Sequence, residues 1–501
     1  MKASSVMRRR DFCKTTLMSG AAAALPVRMS GALGSTPRTV AFADTAGVKI
    51  TGEPTLIPGT ALKQFAGRFR GRLITARDPD YDSVRRVWNR MIDRRPALIA
   101  QCTGAADITR AIAFGREREL LMAVRGGGHS YPGYSTCDGG MVIDLSAMRG
   151  VRVDPGARTA RVACGSWNAD LDWEAQQFAL ATPMGRVGHT GVAGLTLGGG
   201  YGRLSRLHGL ACDNIISVDL ITADANLLHV SAEENADLFW ALRGGGGNFG
   251  IVSSFEYRLH ALGPRVLAGY LRYSAAQLRS VMEQFVEISA HAPRELSLDL
   301  ATFPDEKGAR TPVLLFCFMG DPEKGEKLLN SIRSSTKPRS DDVRAQDYFS
   351  VQTQHDGPPL SDSAEYAKTG HVSAVTPELV EALVHDVEPG GAEIALSLNG
   401  GEIADVDPTS TAVAHRRELF QLEIDADWDD LKQNEQKRAE IHAIWDKLVG
   451  FTSGFYANLT VSDQKAIDDN YGPNRQRLAQ IKQRYDPDNV FRLNANIRPA
   501  S

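Results

Sequence analysis

The sequence predicts an α+β fold divided into two domains, and three observations support this. The 501 residues are more than one compact core usually holds. Strand and helix patterns alternate from residue 97 onward. Glycine clusters recur as far as Pro264 and then thin out between Arg265 and about Gly454. We therefore expect a glycine-rich first domain followed by a second α+β domain.

The first domain is expected to open with a strand, an amphipathic helix and a strand that runs into a glycine loop, at 97–102, 105–119 and 120–124. A strand at 141–145 and hairpins at 151–163 and 216–231 follow, the hairpins with DPGA and ADAN turns. Further predicted elements are helices at 168–180 and 235–242 and a closing strand at 251–259.

The second domain and the tail have a different pattern. In the second domain we expect a helix at 275–289 and strands at 313–318 and 419–424. The tail contains FYANLT, a predicted helix at 474–485 and then DPDNVFRLNANIRP. This tail either lies on the surface or returns to the first domain and completes it.

The composition is typical of globular proteins, with 43% hydrophobic and 23% charged residues. The formal net charge of −3 leaves no basic surplus to neutralise phosphates, and no Lys/Arg tract is interleaved with aromatic residues. Nucleic acid is therefore not an expected partner.

The amino terminus has the pattern of a twin-arginine export signal. The run RRRDFCK at 8–14 is followed by a modestly apolar, alanine-rich segment at 15–25. That segment is shorter than the roughly 20 residues needed to cross a bilayer, so no membrane span is expected. We expect the twin-arginine export machinery to carry the chain to the periplasm or the exterior, with cleavage after Ala43.

Cysteine usage predicts neither a disulfide framework nor a metal site. Cys13 lies in the export signal, which leaves an odd number of thiols. No C-x-x-C or His/Cys cluster has metal-ligand spacing. We expect buried thiols at Cys102, Cys137, Cys164, Cys212 and Cys317.

Glycine runs are the strongest sign of a ligand in the first domain. Gly245, Gly247 and Gly250 fit G-x-G-x-x-G, but a helix precedes them and a strand follows, which is the reverse of the dinucleotide fingerprint. No phosphate-binding P-loop pattern is present either. With the clusters at 126–128 and 191–202, they indicate backbone amides gathered around a large phosphate-bearing ligand, because glycine permits close approach.

Several stretches match a known family: VRGGGHSY at 124–131, GHTGVAGLTLGGGYG at 188–202, LFWALRGGGGNFGIV at 238–252 and RYDPDNVFRLNANI at 484–497. They resemble the vanillyl-alcohol oxidase superfamily and are similar to its berberine bridge enzyme-like branch. The resemblance implies a two-domain FAD-binding fold of the p-cresol methylhydroxylase (PCMH) type, whose substrate domain is an antiparallel sheet backed by helices. The expected parts are an export signal at 1–43, an FAD-binding domain at 44–264 with its core from about 94, a substrate-binding domain at 265–454 and a C-terminal segment at 455–501 that completes the FAD domain.

The resemblance implies that His129 bonds covalently to the 8α methyl group of FAD, where a neutral imidazole can act as the nucleophile. Many relatives carry a second link through a cysteine placed before the 198–200 glycine run, but this chain has Val187 there. We therefore expect a single link. The other expected FAD contacts are Arg125, Gly126, Gly127, Gly128, Ser130, Thr190, Gly191, Gly194, Gly199, Asn214, Ile251, Val252, Asn494 and Asn496. For the last two, turn capping is an equal alternative.

The family chemistry is oxidation of an alcohol, hemiacetal or amine, in which a hydride passes to the flavin while a base takes a proton. The resemblance implies Tyr456 and Tyr131 as catalytic residues. A phenol ionises near pH 10, so Tyr456 is a base only if its neighbours lower its pKa. Where many relatives have a carboxylate in the substrate domain, this chain has Ser397. The nearby alternatives are Glu402, Glu423 and Asp425.

In the family that the sequence resembles, a bulky side chain over the flavin converts such oxidases into dehydrogenases, and the corresponding neighbourhood in this chain is at Thr190. Because threonine is small, the resemblance favours an oxidase that uses a small-molecule substrate and dioxygen and forms hydrogen peroxide. Two alternatives stay open: an exported flavin dehydrogenase that passes electrons to another acceptor, and a non-catalytic flavoprotein.

Overall fold

The structure is a computed structural model that describes residues 42–305, 308–358, 360–387, 391–460 and 463–500. The predicted export signal, apart from its last two residues, and Cys13 lie outside the described residues. Within the described part, no helix combines the length and the apolar character that a membrane crossing requires. The five predicted thiols are all buried and free.

The first part of the chain contains small sheets surrounded by helices. Its strands are β1 (Thr45–Val48), β2 (Pro54–Ile57), β3 (Arg72–Ile74), β4 (Leu98–Gln101), β5 (Met122–Arg125), β6 (Met141–Asp144), β7 (Val151–Asp154), β8 (Thr159–Ala163), β9 (Leu180–Ala181), β10 (Ile215–Ile221), β11 (Leu227–Ser231), β12 (Ile251–Arg258) and β13 (His260–Ala261). A four-stranded sheet has the order β3-β4-β6-β5, and an antiparallel five-stranded sheet has the order β11-β10-β12-β8-β7. Two short pairs, β1-β2 and β9-β13, complete this part.

The helices of the first part are α1 (Gly59–Ala66), α2 (Tyr81–Val84), α3 (Ala105–Glu117), α4 (Asn168–Gln176), α5 (Val192–Leu197), α6 (Ser205–His208) and α7 (Ala236–Leu242). The predicted helix at 168–180 therefore ends earlier than expected. Ala179 takes a left-handed φ of 52°, which a helix cannot continue through. The next two residues pair with β13 as strand β9.

Strand β6 explains how the glycine loop at 126–128 is anchored. It runs parallel to β4 and β5 and is buried along its whole length, as central parallel strands usually are. Its last residue, Asp144, is a buried carboxylate, and its charge is met by Arg125 Nη2 at 2.8 Å. Arg125 also donates to the carbonyl oxygen of Val84 at 2.8 Å. Since a buried charge must be paired, this ion pair fixes the end of β5 immediately before the loop.

The second part of the chain contains one large antiparallel sheet. Its strands are β14 (Arg265–Arg272), β15 (Leu296–Pro304), β16 (Arg310–Phe318), β17 (Ser340–Asp341), β18 (Arg344–Asp347), β19 (Ala364–Val372), β20 (Glu393–Leu398) and β21 (Phe420–Trp428). They have the order β17-β14-β16-β15-β20-β21-β19, with β18 also beside β14. The helices of this part are α8 (Leu278–Ala290), α9 (Pro322–Ser335), α10 (Tyr348–Thr353), α11 (Pro377–Glu381), α12 (Glu402–Asp405) and α13 (Asn434–Leu448).

The two faces of this sheet differ in chemistry because side chains alternate along each strand. On β21, Leu422 and Ile424 join a core formed with helices α8, α9 and α13. Gln421, Glu423 and Asp425 alternate with them and therefore face the other way. That second, polar face is turned toward the first part of the chain and forms one wall of the site described below.

The tail returns to the first part of the chain through helices α14 (Gln464–Asn470) and α15 (Arg475–Tyr485). Lys482 is fully buried, and its Nζ donates to Asp486 Oδ2 at 2.6 Å and to the Asn248 carbonyl oxygen at 2.6 Å. Asn248 in turn donates from Nδ2 to the Ala495 carbonyl oxygen and accepts from the Ile497 N–H. The tail is thus held against the glycine loop at 244–250.

Replacing Lys482 with methionine should strongly destabilise the fold. It would leave Asp486 buried without its cation, a loss worth about 3–5 kcal/mol in the free energy of unfolding. Urea denaturation followed by circular dichroism measures this. Lys465→Met is the matched control, because it removes a lysine with the same spacing to an aspartate on the exposed surface and should leave the denaturation curve unchanged. Equal stability of the two variants would contradict the role given to Lys482.

Candidate active site

A cavity of about 340 Å³ lies between the glycine loops of the first part and the polar face of the large sheet. We call it the catalytic cavity. Its walls include backbone from three loops, at 126–131, 185–198 and 244–252, and tail residues at 491–495. A smaller cavity of about 160 Å³ adjoins it along the sheet, and Arg186, Ser397 and Glu423 line both.

Two of the glycine loops touch so closely that neither accepts a side chain at the contact. A Cβ atom on Gly127 would lie 2.5 Å from the nitrogen and Cα atoms of Gly191, and the reverse substitution would clash equally. At Gly194 and Gly247, by contrast, a Cβ atom would meet nothing within 4 Å. These glycines offer bare backbone to the cavity, which suits the phosphates of a dinucleotide cofactor.

His129 lies on the cavity wall within a group of aromatic rings. Its imidazole stacks on Trp88 with a centroid distance of 4.0 Å and an interplanar angle of 15°. The ring of His189 lies 5.0 Å away on the far side of the loop contact, and the ring of Tyr131 lies 6.1 Å away. The backbone N–H of Trp88 donates to the Gly128 carbonyl oxygen at 3.0 Å. This bond joins the Trp88 backbone to the loop just before His129, and the imidazole itself is held by stacking on the indole.

Tyr131 connects the two parts of the protein. Its hydroxyl donates to Glu365 Oε1 of β19 at 2.6 Å. Asn89 supports both residues, because its Nδ2 donates to the carbonyl oxygens of Tyr131 and Glu365 and its Oδ1 accepts the Glu365 N–H. The phenol ring therefore has a fixed orientation beside the cavity.

Tyr456 is buried on the opposite wall, in the segment where the tail begins. Its hydroxyl oxygen accepts a hydrogen bond from Asn458 Nδ2 at 2.8 Å, and its ring lies edge-on to Tyr201 at 5.1 Å. Burial raises the pKa of Tyr456 to about 12 and outweighs the hydrogen bonds from Asn458 and from the Gly200 and Tyr201 backbone. The condition stated above for a basic role is therefore not met, and the phenol is protonated near neutral pH.

Ser397 lies on the wall of the catalytic cavity that the large sheet forms, at the position where the resemblance implies a carboxylate. Asp299 is the cross-strand partner of Ser397, and Arg186 contacts both, with a 2.8 Å ion pair to Asp299 and a 3.1 Å hydrogen bond to Ser397 Oγ. The Asp299 charge is therefore neutralised. Among the described residues that line the catalytic cavity, Glu423 is the one that carries a carboxyl group.

The other two carboxylates considered from the sequence lie elsewhere. Glu402 is exposed on α12 and forms an ion pair with Arg294 at 2.7 Å. Asp425 is buried and lines the smaller cavity rather than the catalytic one. Of the three alternatives, the geometry thus favours Glu423.

Most of the predicted cofactor and catalytic residues lie on one wall or another of the catalytic cavity: Gly126, Gly127, Gly128, His129, Ser130, Tyr131, Thr190, Gly191, Gly194, Ile251, Val252, Tyr456 and Asn494. Arg125, Gly199, Asn214 and Asn496 are not among the described lining residues. Arg125 anchors its loop from below through Asp144. Asn214 donates to the His208 and Leu210 carbonyl oxygens and lies beside His260. Their contact with FAD stays a prediction.

For Asn494 and Asn496 the hydrogen bonds leave both interpretations open. Asn494 Nδ2 donates locally to the Phe491 carbonyl oxygen at 3.3 Å, as a turn residue would. The side-chain oxygens of both asparagines are buried and have no hydrogen-bond partner within the described residues. A ligand in the cavity could supply a donor to Asn494, since that residue lines it.

Sequence reasoning missed Trp88, Arg186 and His189. Trp88 lies in a stretch without a motif, and Arg186 precedes the quoted glycine motif. His189 stands inside that motif, but its spacing to other polar residues carries no signal. Only the tertiary contacts bring these three residues to the site.

Comparison with known proteins agrees with this geometry. Residues 96–231 match a family described as FAD binding domain, and residues 455–498 match one described as Berberine and berberine like. A FAD-linked oxidoreductase from Dictyostelium discoideum is 30% identical over 450 residues, which cover 87% of this chain and 97% of the relative. The glucooligosaccharide oxidase of Sarocladium strictum is 30% identical, covering 82% and 89%.

The chain belongs to the berberine bridge enzyme-like family of FAD-linked oxidoreductases. The crystal structure of 6-hydroxy-D-nicotine oxidase from Arthrobacter nicotinovorans superposes with a TM-score of 0.79 at 28% identity and covers 86% of this chain and 98% of that one. These findings confirm the resemblance, the α+β PCMH-type fold and an FAD-linked oxidoreductase as the enzyme class. The bare glycine loops fit FAD as the cofactor.

Replacing Gly127 with alanine should weaken FAD binding on the order of tenfold or more, since the new methyl group would force the two loops apart. The flavin content of purified protein, taken as the ratio of visible to ultraviolet absorbance, measures the loss. Gly263→Ala is the control, because a Cβ atom there meets nothing within 4 Å. Wild-type flavin content in Gly127→Ala would show that FAD does not bind at the contact between these two loops.

Proposed function

We propose that this protein is an FAD-dependent oxidase that takes a hydride from an alcohol, hemiacetal or amine and has a single covalent link between His129 and the flavin. Dioxygen would accept the electrons and form hydrogen peroxide. One observation carries the proposal: His129, Tyr456 and Glu423 line the same cavity. A nucleophilic imidazole, a protonated phenol and a carboxylate are thus available around one site.

When bound, FAD supplies hydride acceptance and reaction with dioxygen. The chain's own residues then have to position the substrate and remove its hydroxyl or ammonium proton. Glu423 is the candidate base, since it is the carboxylate on the cavity wall. Tyr456, kept protonated by burial, can donate a hydrogen bond to the substrate oxygen or nitrogen and so hold it toward Glu423.

Two features support a single covalent link. Val187 lines the catalytic cavity at the position where relatives have the second cysteine. Among the described residues, no cysteine lines this cavity, and burial raises the pKa of Cys164 to about 12, so its thiol is a poor nucleophile.

The smaller cavity supports a polar substrate. Beside apolar side chains such as Phe303 and Leu315, its lining includes the carboxylates Asp299, Glu393, Glu423 and Asp425 and the guanidinium groups of Arg186, Arg203 and Arg272. A hydrocarbon group entering this space would displace water from charged side chains without replacing the hydrogen bonds. Hydroxyl- or amine-bearing substrates can replace them, which fits the three substrate classes.

Two further parts of the proposal rest on sequence and on relatives. Thr190 lines the cavity with a small side chain, and relatives named as oxidases favour dioxygen as the acceptor over a dehydrogenase partner. The RRRDFCK run supports export through the twin-arginine machinery, and hence a periplasmic or secreted enzyme.

Acid precipitation of the purified protein should leave flavin fluorescence on the polypeptide in denaturing gels. His129→Ala should lose this fluorescence while still binding FAD in solution, because its imidazole is the only proposed tether. His229→Ala, an exposed histidine, is the control. Release of all flavin by wild type would exclude the covalent link and leave a flavoprotein with dissociable FAD.

Glu423→Gln should lower kcat roughly 10²–10⁴-fold, the usual contribution of a general base, with an unchanged flavin spectrum. The assay is oxygen uptake and peroxide formation with a panel of alcohols, sugars and amines. Glu402→Gln should keep full activity, since Glu402 lies outside the cavity. Substrate-dependent bleaching without oxygen uptake would identify a dehydrogenase instead. Absence of bleaching by the whole panel would favour the non-catalytic alternative.

A further inference from the structure

A second buried histidine lies against His129 but is not among the residues that line the cavity. The His189 ring is 5.0 Å from that of His129 with an interplanar angle of 32°, and it is 6% exposed. Trp88 and Trp167 lie around it at 6.4 Å and 6.5 Å. Its Nδ1 atom has no hydrogen-bond partner within the described residues. A buried imidazole nitrogen without a partner is costly, so its position calls for a function.

A carboxylate from the second part of the chain completes this arrangement. Asp356 Oδ1, in the segment after α10, accepts the Gly188 N–H at 2.6 Å. Its charge also acts on His189: burial lowers the pKa of His189, and Asp356 opposes that shift. Burial likewise raises the pKa of Asp356, against the opposing effects of His189 and Arg203. His189 is therefore a neutral imidazole whose protonated form a neighbouring carboxylate can stabilise.

We propose that the His189–Asp356 pair accepts the proton that the His129 imidazole releases as His129 bonds to the flavin. The inference rests on the proposed covalent link. It adds a proton acceptor for the attachment step. Because His189 is not on the cavity wall, it takes no part in the reaction with substrate.

The chemistry of the attachment balances with dioxygen as oxidant. A bond forms between an imidazole nitrogen of His129 and the flavin 8α carbon, and a C–H bond of that methyl group breaks. The C–H proton is released to water, its electron pair reduces the flavin ring by two electrons, and the N–H proton of the imidazole goes to His189. Dioxygen then takes the two electrons with two protons and yields hydrogen peroxide.

The other groups around His129 are less suited to this role. Trp88 does not titrate, and the Tyr131 hydroxyl is directed to Glu365. Of the charged groups near the pair, Arg203 and the buried carboxyl group of Asp172 interact electrostatically with Asp356. His189 is thus the basic side chain packed against the reacting imidazole.

The test compares the full chain as wild type, His189→Gln, His189→Ala, Asp356→Asn and the exposed control His229→Gln. Each protein, produced under flavin limitation, is incubated with FAD and air, and the growth of acid-stable flavin fluorescence on the polypeptide gives the attachment rate. Binding of FAD before attachment is followed separately by absorbance. Attachment in His189→Gln should be roughly 100-fold slower than in wild type at neutral pH.

Two readouts separate proton transfer from a structural role. The attachment rate of His189→Gln should approach that of wild type as pH rises, because hydroxide replaces the missing proton acceptor. Added free imidazole should speed attachment in His189→Ala but not in His189→Gln, whose side chain fills the space. Asp356→Asn should slow attachment less than His189→Gln does, with the same dependence on pH. This variant tests the proposal if the His189 variants do not bind FAD.

The outcomes are distinct. Attachment at the wild-type rate in His189→Gln and Asp356→Asn would overturn the role of the pair and leave the His129 link intact. A slow rate that neither pH nor imidazole changes would also overturn it, since that is the mark of misplaced packing. Absence of acid-stable flavin in wild type would overturn the link itself and this inference with it.

Discussion

The contact between Gly127 and Gly191 is the constraint from which the site follows. No side chain fits there, since a Cβ atom on either glycine would lie 2.5 Å from the other's backbone. His129 stands two residues after the first glycine, and His189 stands two residues before the second. Bringing the glycines together therefore places the two imidazoles side by side. The buried pair Arg125–Asp144 keeps the first of these loops fixed to the sheet below.

The opposite wall depends on the alternation of side chains in the large sheet. Leu422 and Ile424 need the apolar core, so Glu423 between them must face the cavity. A slip of one residue in the register of β21 would bury the carboxylate and expose the leucine. The hydrophobic pattern that stabilises the second part of the chain thus also directs its polar groups toward the first. Packing and function are specified by the same residues.

The fold and the glycine loops of the cavity could largely be predicted from the sequence, because the motifs there are local. The glycine runs, the strand–helix–strand opening and both hairpins needed only near neighbours along the chain. The end of α4 could not be predicted in this way, because Leu180 and Ala181 form a strand by pairing with β13, which is far away in sequence. His189 and Arg186 were missed for the same reason, since their partners come from other elements.

The departure at Ser397 shows how a carboxylate can be relocated within a sheet. Asp299 stands opposite Ser397, but it is already engaged in an ion pair with Arg186. On the other side, Ser397 faces Gln421, and Glu423 is the next residue of β21 on the same face. The cavity therefore keeps a carboxylate one strand away from the usual position. With Tyr456 held protonated by burial, the proposed reaction assigns the proton acceptor and the hydrogen-bond donor to different residues. Each then needs only one protonation state throughout substrate binding.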